Sequence, residues 1–209
     1  MSHPDPFFAN VSDPFRYRSA IRHFDELNAS DPNLEVGDGK ECPHEWLQAQ
    51  RLSGWIMKLE GRPSEPLRLA SRCQHLCRWM IPRDTYARTR AGYHEWRNEL
   101  KRFHAAKSGE VLRSVAYDDD LIQLVQDLNL KKNFPMNTES RVLEDALCLV
   151  FLEFQLGGLA GKTDEEKIIN ALRKSWKKMT PAAHEHALQF RYGERERALV
   201  ERALAEDER

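Results

Sequence analysis

The chain has 209 residues, 31% of them charged and 41% hydrophobic, with a formal net charge of −1. That composition fits a globular protein with a substantial core; it excludes a disordered chain and gives no global attraction to nucleic acid or an anionic membrane. No run approaches the roughly 18 apolar residues of a membrane span, the four cysteines make no disulfide framework, and Met1 to Pro6 shows no basic start with an apolar stretch behind it, so a reduced, cytoplasmic setting is expected.

Helix signals run the length of the chain, and no segment alternates clearly at period two. Asp13-Pro14 is a helix start, a capping acid with proline at the first helical position, followed by the stripe Tyr17, Ile21, Phe24 and Leu27. Asn28 to Cys42 is polar and contains glycine, the pattern of a loop. Pro43 opens a second helix with Trp46, Leu52, Trp55, Ile56 and Leu59 on its apolar side, ending near Gly61. Ser64-Glu65-Pro66 starts a third, which carries Leu69, Cys73, Leu76, Cys77 and Met80 and closes at Pro82. A fourth helix is expected from about Tyr93 to Ala106, and shorter ones over Glu110 to Val115 and Asp120 to Leu130.

Thr138 is the expected cap of the next helix, and Gly157-Gly158 its expected break. Thr163-Asp164-Glu165-Glu166 has the form of a capping box, in which the threonine and the glutamate three residues on satisfy each other's free amides. Ile168, Ile169, Leu172, Trp176 and Met179 follow it, and Thr180-Pro181 starts a further helix. The fold class is all-α: a single multi-helix domain over residues 1–193, with residues 194–209 a charged helical extension or tail.

Within this frame Asp145 stands out. It lies in Val142-Leu143-Glu144-Asp145-Ala146-Leu147-Cys148-Leu149-Val150-Phe151-Leu152, a helix apolar nearly all round and hence expected in the core. A buried carboxylate needs a cation, a metal or strong donors beside it. The third helix supplies partners of the right kind: His75, with Arg72 on one side and Arg78 and Trp79 on the other. An acid and a half-buried histidine can solve each other's problem directly or through a metal. His44 precedes His75 by about thirty residues and Asp145 follows by about seventy.

From Arg68 to Lys107 there are ten Lys/Arg against three Asp/Glu, interleaved with Trp79, Tyr86, Tyr93 and Trp96. Arginine suits bidentate phosphate contacts, and the aromatics suit stacking. The plain alternative is a solvated basic surface. No helix-turn-helix or finger pattern accompanies the charge, so a small phosphorylated ligand fits better than nucleic acid; RNA is possible but not favoured.

The order histidine, histidine, distant aspartate resembles HD-domain phosphohydrolases, whose helical metal sites draw ligands from successive helices. That resemblance implies an HD-like fold and a metal-dependent phosphohydrolase acting on a nucleotide or other small phosphoester. Its metal would be Mn, Fe, Zn or Mg, which can activate water. The pattern departs from the family at Leu76, where the paired aspartate should follow His75; either Glu144 or His104 supplies that ligand, or the fold is kept without the metal.

The chain also resembles the family called domain of unknown function 4202. The likeness rests on Gln50-Arg51, the Ser64-Glu65 helix start, the run Ala70 to Trp79 with Ile81-Pro82-Arg83, and Arg90-Ala91-Gly92-Tyr93 with Trp96-Arg97. It continues in Leu143-Glu144-Asp145-Ala146 with Cys148 to Glu153, and in Lys174 with Trp176, Lys178 and Met179. It spans about Phe15 to Leu188 and implies no activity. The position of His44 looks aromatic in that family, which leaves Glu45, Glu65 or His104 as substitutes.

The expected site therefore has His75, Asp145, His44 and His104 as metal ligands, Glu144 as a further ligand or general base, and Arg72, Arg78, Arg83 and Trp79 around the ligand. The alternative is a non-catalytic domain that binds an anionic ligand or RNA, with Asp145 and Glu144 paired to Arg72 and His75.

Overall fold

A computed structural model describes residues 10–37 and 39–205. The N-terminal residues read above for a leader, and the last four of the C-terminal tail, lie outside the described residues. The described chain is mostly α-helical, with ten α-helices and one two-stranded hairpin. No helix in it is long and apolar enough to cross a membrane. It divides into two compact units, at Ser140 and Arg141.

The first unit opens with α1 (Pro14–Asn28), capped as expected by Asp13, whose carboxylate accepts from the amides of Phe15 and Arg16. The expected loop after α1 contains an antiparallel hairpin, β1 (Leu34–Gly37) with β2 (Lys40–Pro43), in the register Leu34 to Pro43. Four-residue strands are too short to show period-two patterning, which is why this segment reads as a plain loop. α2 (His44–Glu60) follows at once, and Gly61 ends it at φ 64°, a value that glycine adopts without a Cβ penalty.

α3 (Glu65–Cys73) is capped by Ser64 but stops well short of Pro82. Cys77 takes up the left-handed conformation (φ 55°), and single 3-10 turns follow at Arg78–Met80 and Arg83–Thr85. His75, Arg78 and Trp79 therefore stand on an irregular corner rather than on one helical face. α4 (Arg90–Ser114) absorbs both the fourth helix and the short one expected after it, and α5 (Asp119–Leu130) starts on the Asp118 cap. α2 packs on α3, α3 and α4 pack on α5, and α1 touches α2, α3 and α4. Phe24, Ile56, Leu67, Leu69, Leu76, Leu112 and Ile122 are wholly buried in this unit.

The division falls inside α6 (Thr138–Val150). Its cap is Asn137, not Thr138: Asn137 Oδ1 accepts from the amide of Ser140 at 2.8 Å. A π-helical turn at Phe151–Gln155 interrupts the helix before the glycines do, and Gly157 and Gly158 lie inside α7 (Leu156–Ala160). α8 (Glu165–Trp176) is capped by Asp164, one residue beyond the expected threonine. α9 (Pro181–Leu188) starts on Thr180 as expected, and α10 (Glu194–Ala205) is helical. α10 buries Leu199 and Ala203, packs on α8 and α7, and ties Arg202 to Glu165 and Glu166.

Candidate functional site

The two carboxylates of α6 are satisfied within the second unit. Asp145 Oδ1 accepts from the amide of Thr180 at 2.8 Å, and Oδ2 from the Thr180 hydroxyl at 2.6 Å. Thr180 Oγ1 in turn accepts from the amide of Ala183, so Asp145 supports the N-cap of α9. Of the three kinds of partner a buried acid can have, this one has strong donors. Glu144 has a cation: Lys178 Nζ lies 2.8 Å from its Oε1.

In the first unit, the chemistry gathers where α2 begins. Pro43 offers no side-chain cap to α2. Asp31 does that work from the turn after α1, with Oδ2 accepting from the amide of Glu45 at 3.0 Å and Oδ1 accepting from the amide and side chain of Asn33. This fixes Glu45 in the first turn of α2 with its side chain pointing inward, 4% exposed. Two basic groups face it. Arg78 Nε is 3.7 Å from Oε1, and His75 Nδ1 is 3.7 Å from Oε2. Both distances are longer than a hydrogen bond.

Desolvation decides the charge of this acid. Burial pushes Glu45 up to about 8 against the pull of Arg78, and Asp31 and Glu35 add to the rise. At neutral pH the carboxyl is mostly protonated. The imidazoles behind it go the other way. His104 packs edge-on to His75 with ring centres 6.0 Å apart, and its Nδ1 meets the carbonyl of Leu76 at 2.9 Å. Burial holds His104 down at about 4, against the opposing bond to Leu76, with Arg78 and Arg97 helping. His75 keeps 31% of its side chain exposed, yet the protein packed around it, with Arg78, His104, Arg97 and Lys131, holds it well below its ordinary value.

Arg78 lies over the face of Trp96, 4.9 Å from the ring centre. Trp96 is anchored by its Nε1–H, which donates to the carbonyl of Ile81 at 2.9 Å. Among the described residues no hydrogen bond reaches the terminal nitrogens of Arg78. Arg78 lines a pocket of about 500 Å³ with His44, Glu45, Trp79, Arg83 and Trp96, together with Pro32, Asn33, Ile81 and Pro82. The loop that carries Arg83 is clamped to α4 at Gly92, where a Cβ would come within 2.3 Å of the Ala87 carbonyl oxygen.

Four of the residues singled out by sequence, His44, Arg78, Trp79 and Arg83, thus share one pocket, with His75 and His104 packed behind it. Several of the residues singled out are engaged within the fold, two of the pocket's four among them. Arg72 pairs with Asp25, Nε to Oδ1 at 2.9 Å. Arg83 lines the pocket but donates to the carbonyls of Tyr86 and Ala87 at 3.0 and 2.8 Å. His44 Nδ1 meets Glu35 Oε2 at 2.7 Å, and Arg51 pairs with the other oxygen of Glu35. Glu65 accepts from the Tyr117 hydroxyl and the amide of Ser12. Arg68 donates to the carbonyl of Pro63. Part of the basic segment is therefore spent inside the fold rather than spread over a surface. Glu45, named from the sequence only as a substitute ligand for His44, and Trp96, named only among the aromatics, complete the pocket; an acid in a first helical turn is an ordinary signal by itself.

A metal was expected from the sequence. Among the described residues, neither unit contains a group of three or more His, Cys, Asp or Glu side chains that could hold one.

The sequence model described as Domain of unknown function (DUF4202) matches residues 18–200. No curated protein and no solved structure matches the chain.

Proposed function

The chain belongs to the DUF4202 family, and we propose that it binds a small phosphorylated ligand in the pocket between the start of α2, the Arg78–Arg83 corner and α4. The observation that carries this reading is the state of Arg78. Its guanidinium is partly buried over Trp96, its terminal nitrogens have no hydrogen-bond partner among the described residues, and the acid facing it is held protonated. A guanidinium so placed favours an anion, and a phosphate matches its fork of donors. The pocket has the volume of a small-molecule site. Trp79 and Trp96 give it flat apolar walls, which suit a base or a sugar ring.

Calorimetric titration of the full chain with adenosine monophosphate, ribose 5-phosphate and inorganic phosphate tests the proposal. At least one of these should bind, and Arg78→Gln should weaken it at least tenfold, the usual scale for a charge-assisted contact of about 1.5–3 kcal/mol. Binding unchanged in Arg78→Gln would refute the assignment.

A second reading, phosphoester hydrolysis, draws on Glu45. A carboxyl that keeps its proton at neutral pH is suited to hand that proton to a leaving oxygen. The metal-dependent form of this activity is a separate proposal, tested by elemental analysis of protein purified without chelators or a His-tag. A stoichiometric metal supports it, and a metal-free protein unchanged by added Mn²⁺ counts against it.

A further inference from the structure

A second cavity of about 270 Å³ opens among α1, α2 and α3, lined by Tyr17, Ile21, Gln50, Ser53, Gly54, Ile56, Met57, Arg68, Ser71 and Arg72. Two guanidinium groups line it and no acid does. The hydroxyl protons on its polar wall run inward: Ser71 donates to the carbonyl of Arg68 at 2.7 Å, so in the 2.9 Å contact between the two serines Ser53 is the donor. Both serine protons are thus spent within the wall, which also carries the two arginines, Gln50 and Tyr17.

Arg72 has donors left. Asp25 pairs with it, Oδ2 accepting from Nη2 at 3.1 Å and Oδ1 lying 2.9 Å from Nε without hydrogen-bond geometry, while Nη1 donates one bond to Ser53 Oγ at 3.4 Å. Each terminal nitrogen carries two N–H groups, so one on each stays without a partner among the described residues. Such terminal N–H groups can hold a carboxylate. The remaining wall, Ile21, Ile56, Met57 and the ring of Tyr17, is apolar. Gly54 sits at the rim, where a Cβ would meet nothing within 4 Å.

We propose that this cavity binds a small amphipathic carboxylate, its head on the terminal nitrogens of Arg72 beside Arg68 and its hydrocarbon chain against Ile21, Ile56 and Met57. The site is separate from the Arg78 pocket, and the proposal stands whether or not that pocket binds phosphate. The arginine N–H groups on the wall select an acceptor head, and the apolar remainder sets the tail.

The experiment is a calorimetric series of butyrate, hexanoate and octanoate on the full chain, with shift mapping by NMR. Affinity should rise about fourfold per methylene, the value of burying each one, until the cavity is filled; octanoate methyl ester should bind at least tenfold more weakly. The shifts should centre on Ile21, Gly54 and Met57. Gly54→Phe, a bulky residue at an open helical position, should abolish binding while circular dichroism shows the fold intact, and Arg78→Gln should leave it unchanged. Affinity independent of chain length, shifts centred elsewhere, or no binding at all would overturn the proposal. So would octanoate binding that survives in Gly54→Phe, and should that variant fail to fold, the shift map and the ester decide alone.

Discussion

Asp145 and Glu45 are both 4% exposed acids, and their surroundings give them opposite characters. Asp145 accepts two hydrogen bonds from a single threonine at the start of α9, so its carboxyl has a structural use. Glu45 has only longer contacts to Arg78 and His75 and keeps its proton. Asp145→Asn replaces one acceptor by a donor that faces the Thr180 donors. It should cost about 2–3 kcal/mol in denaturant unfolding, the range for losing a hydrogen bond to a buried charged group. Thr180→Val should cost a similar amount, and the double variant less than the sum, because the two act as one unit. Additive costs would show that the pair is not coupled.

The sequence pointed to Asp145 because an acid in an apolar run breaks a pattern. It could not show that the partner lay thirty-five residues on in a threonine cap, since Thr180-Pro181 already had a sufficient explanation as a helix start. Glu45 broke no pattern at all. Its burial depends on the Asp31 cap and on the corner at Cys77, which are both tertiary features.

At the scale of elements, helix starts were the most legible features and irregular corners the least. Asp13, Ser64 and Thr180 cap the helices they were expected to cap, because capping is local chemistry between a side chain and the next turn. α3 was drawn too long, since Leu76, Cys77 and Met80 continue its apolar stripe. The left-handed Cys77 that breaks the path leaves no mark in a hydrophobicity pattern. The π-helical turn in place of a glycine break is a similar case. That corner is what brings Arg78, Trp79 and Arg83 to one pocket.

Gly54 offers a test of element stability. It lies within α2, and a Cβ there meets no atom within 4 Å. Gly54→Ala should raise stability by about 0.5–1 kcal/mol, the helix-propensity difference between the two residues. A loss of stability would mean that the position is strained or covered.

For the molecule as a whole, the groups around Glu45 set a pH profile. Folded Glu45 holds its proton up to about 8, against 4.5 in the unfolded chain. Its contribution is therefore complete below pH 4.5 and lost as pH rises towards 8. His104, held at about 4 against 6.5 unfolded, contributes fully above pH 6.5 and loses that contribution as pH falls; His75 is shifted in the same sense. Two imidazoles outweigh one carboxyl between pH 4.5 and 6.5, so stability should peak near pH 6.5 and decline towards pH 8. Glu45→Gln should remove most of the alkaline decline, on the order of a few kcal/mol. A decline of equal size in that variant would show that another group causes it.

The all-α class was legible because helix periodicity recurs along the chain, and family membership because its motifs are spread over most of it. The division into two units was not, since it falls inside the continuous helix α6. The proposed site was legible as a composition, arginine with tryptophan, but not as an assignment. Whether an arginine is left open to a pocket or spent on a backbone carbonyl is decided by the fold, as the contrast between Arg78 and Arg83 shows.

Arg78 is proposed to receive the phosphate of a small ligand, and the decisive test is a crystal structure of the full chain grown with whichever of adenosine monophosphate, ribose 5-phosphate and inorganic phosphate binds. Phosphate oxygens should lie within about 3.0 Å of the terminal nitrogens of Arg78. That ligand bound elsewhere, or a pocket left without it at saturating concentration, would rule the assignment out.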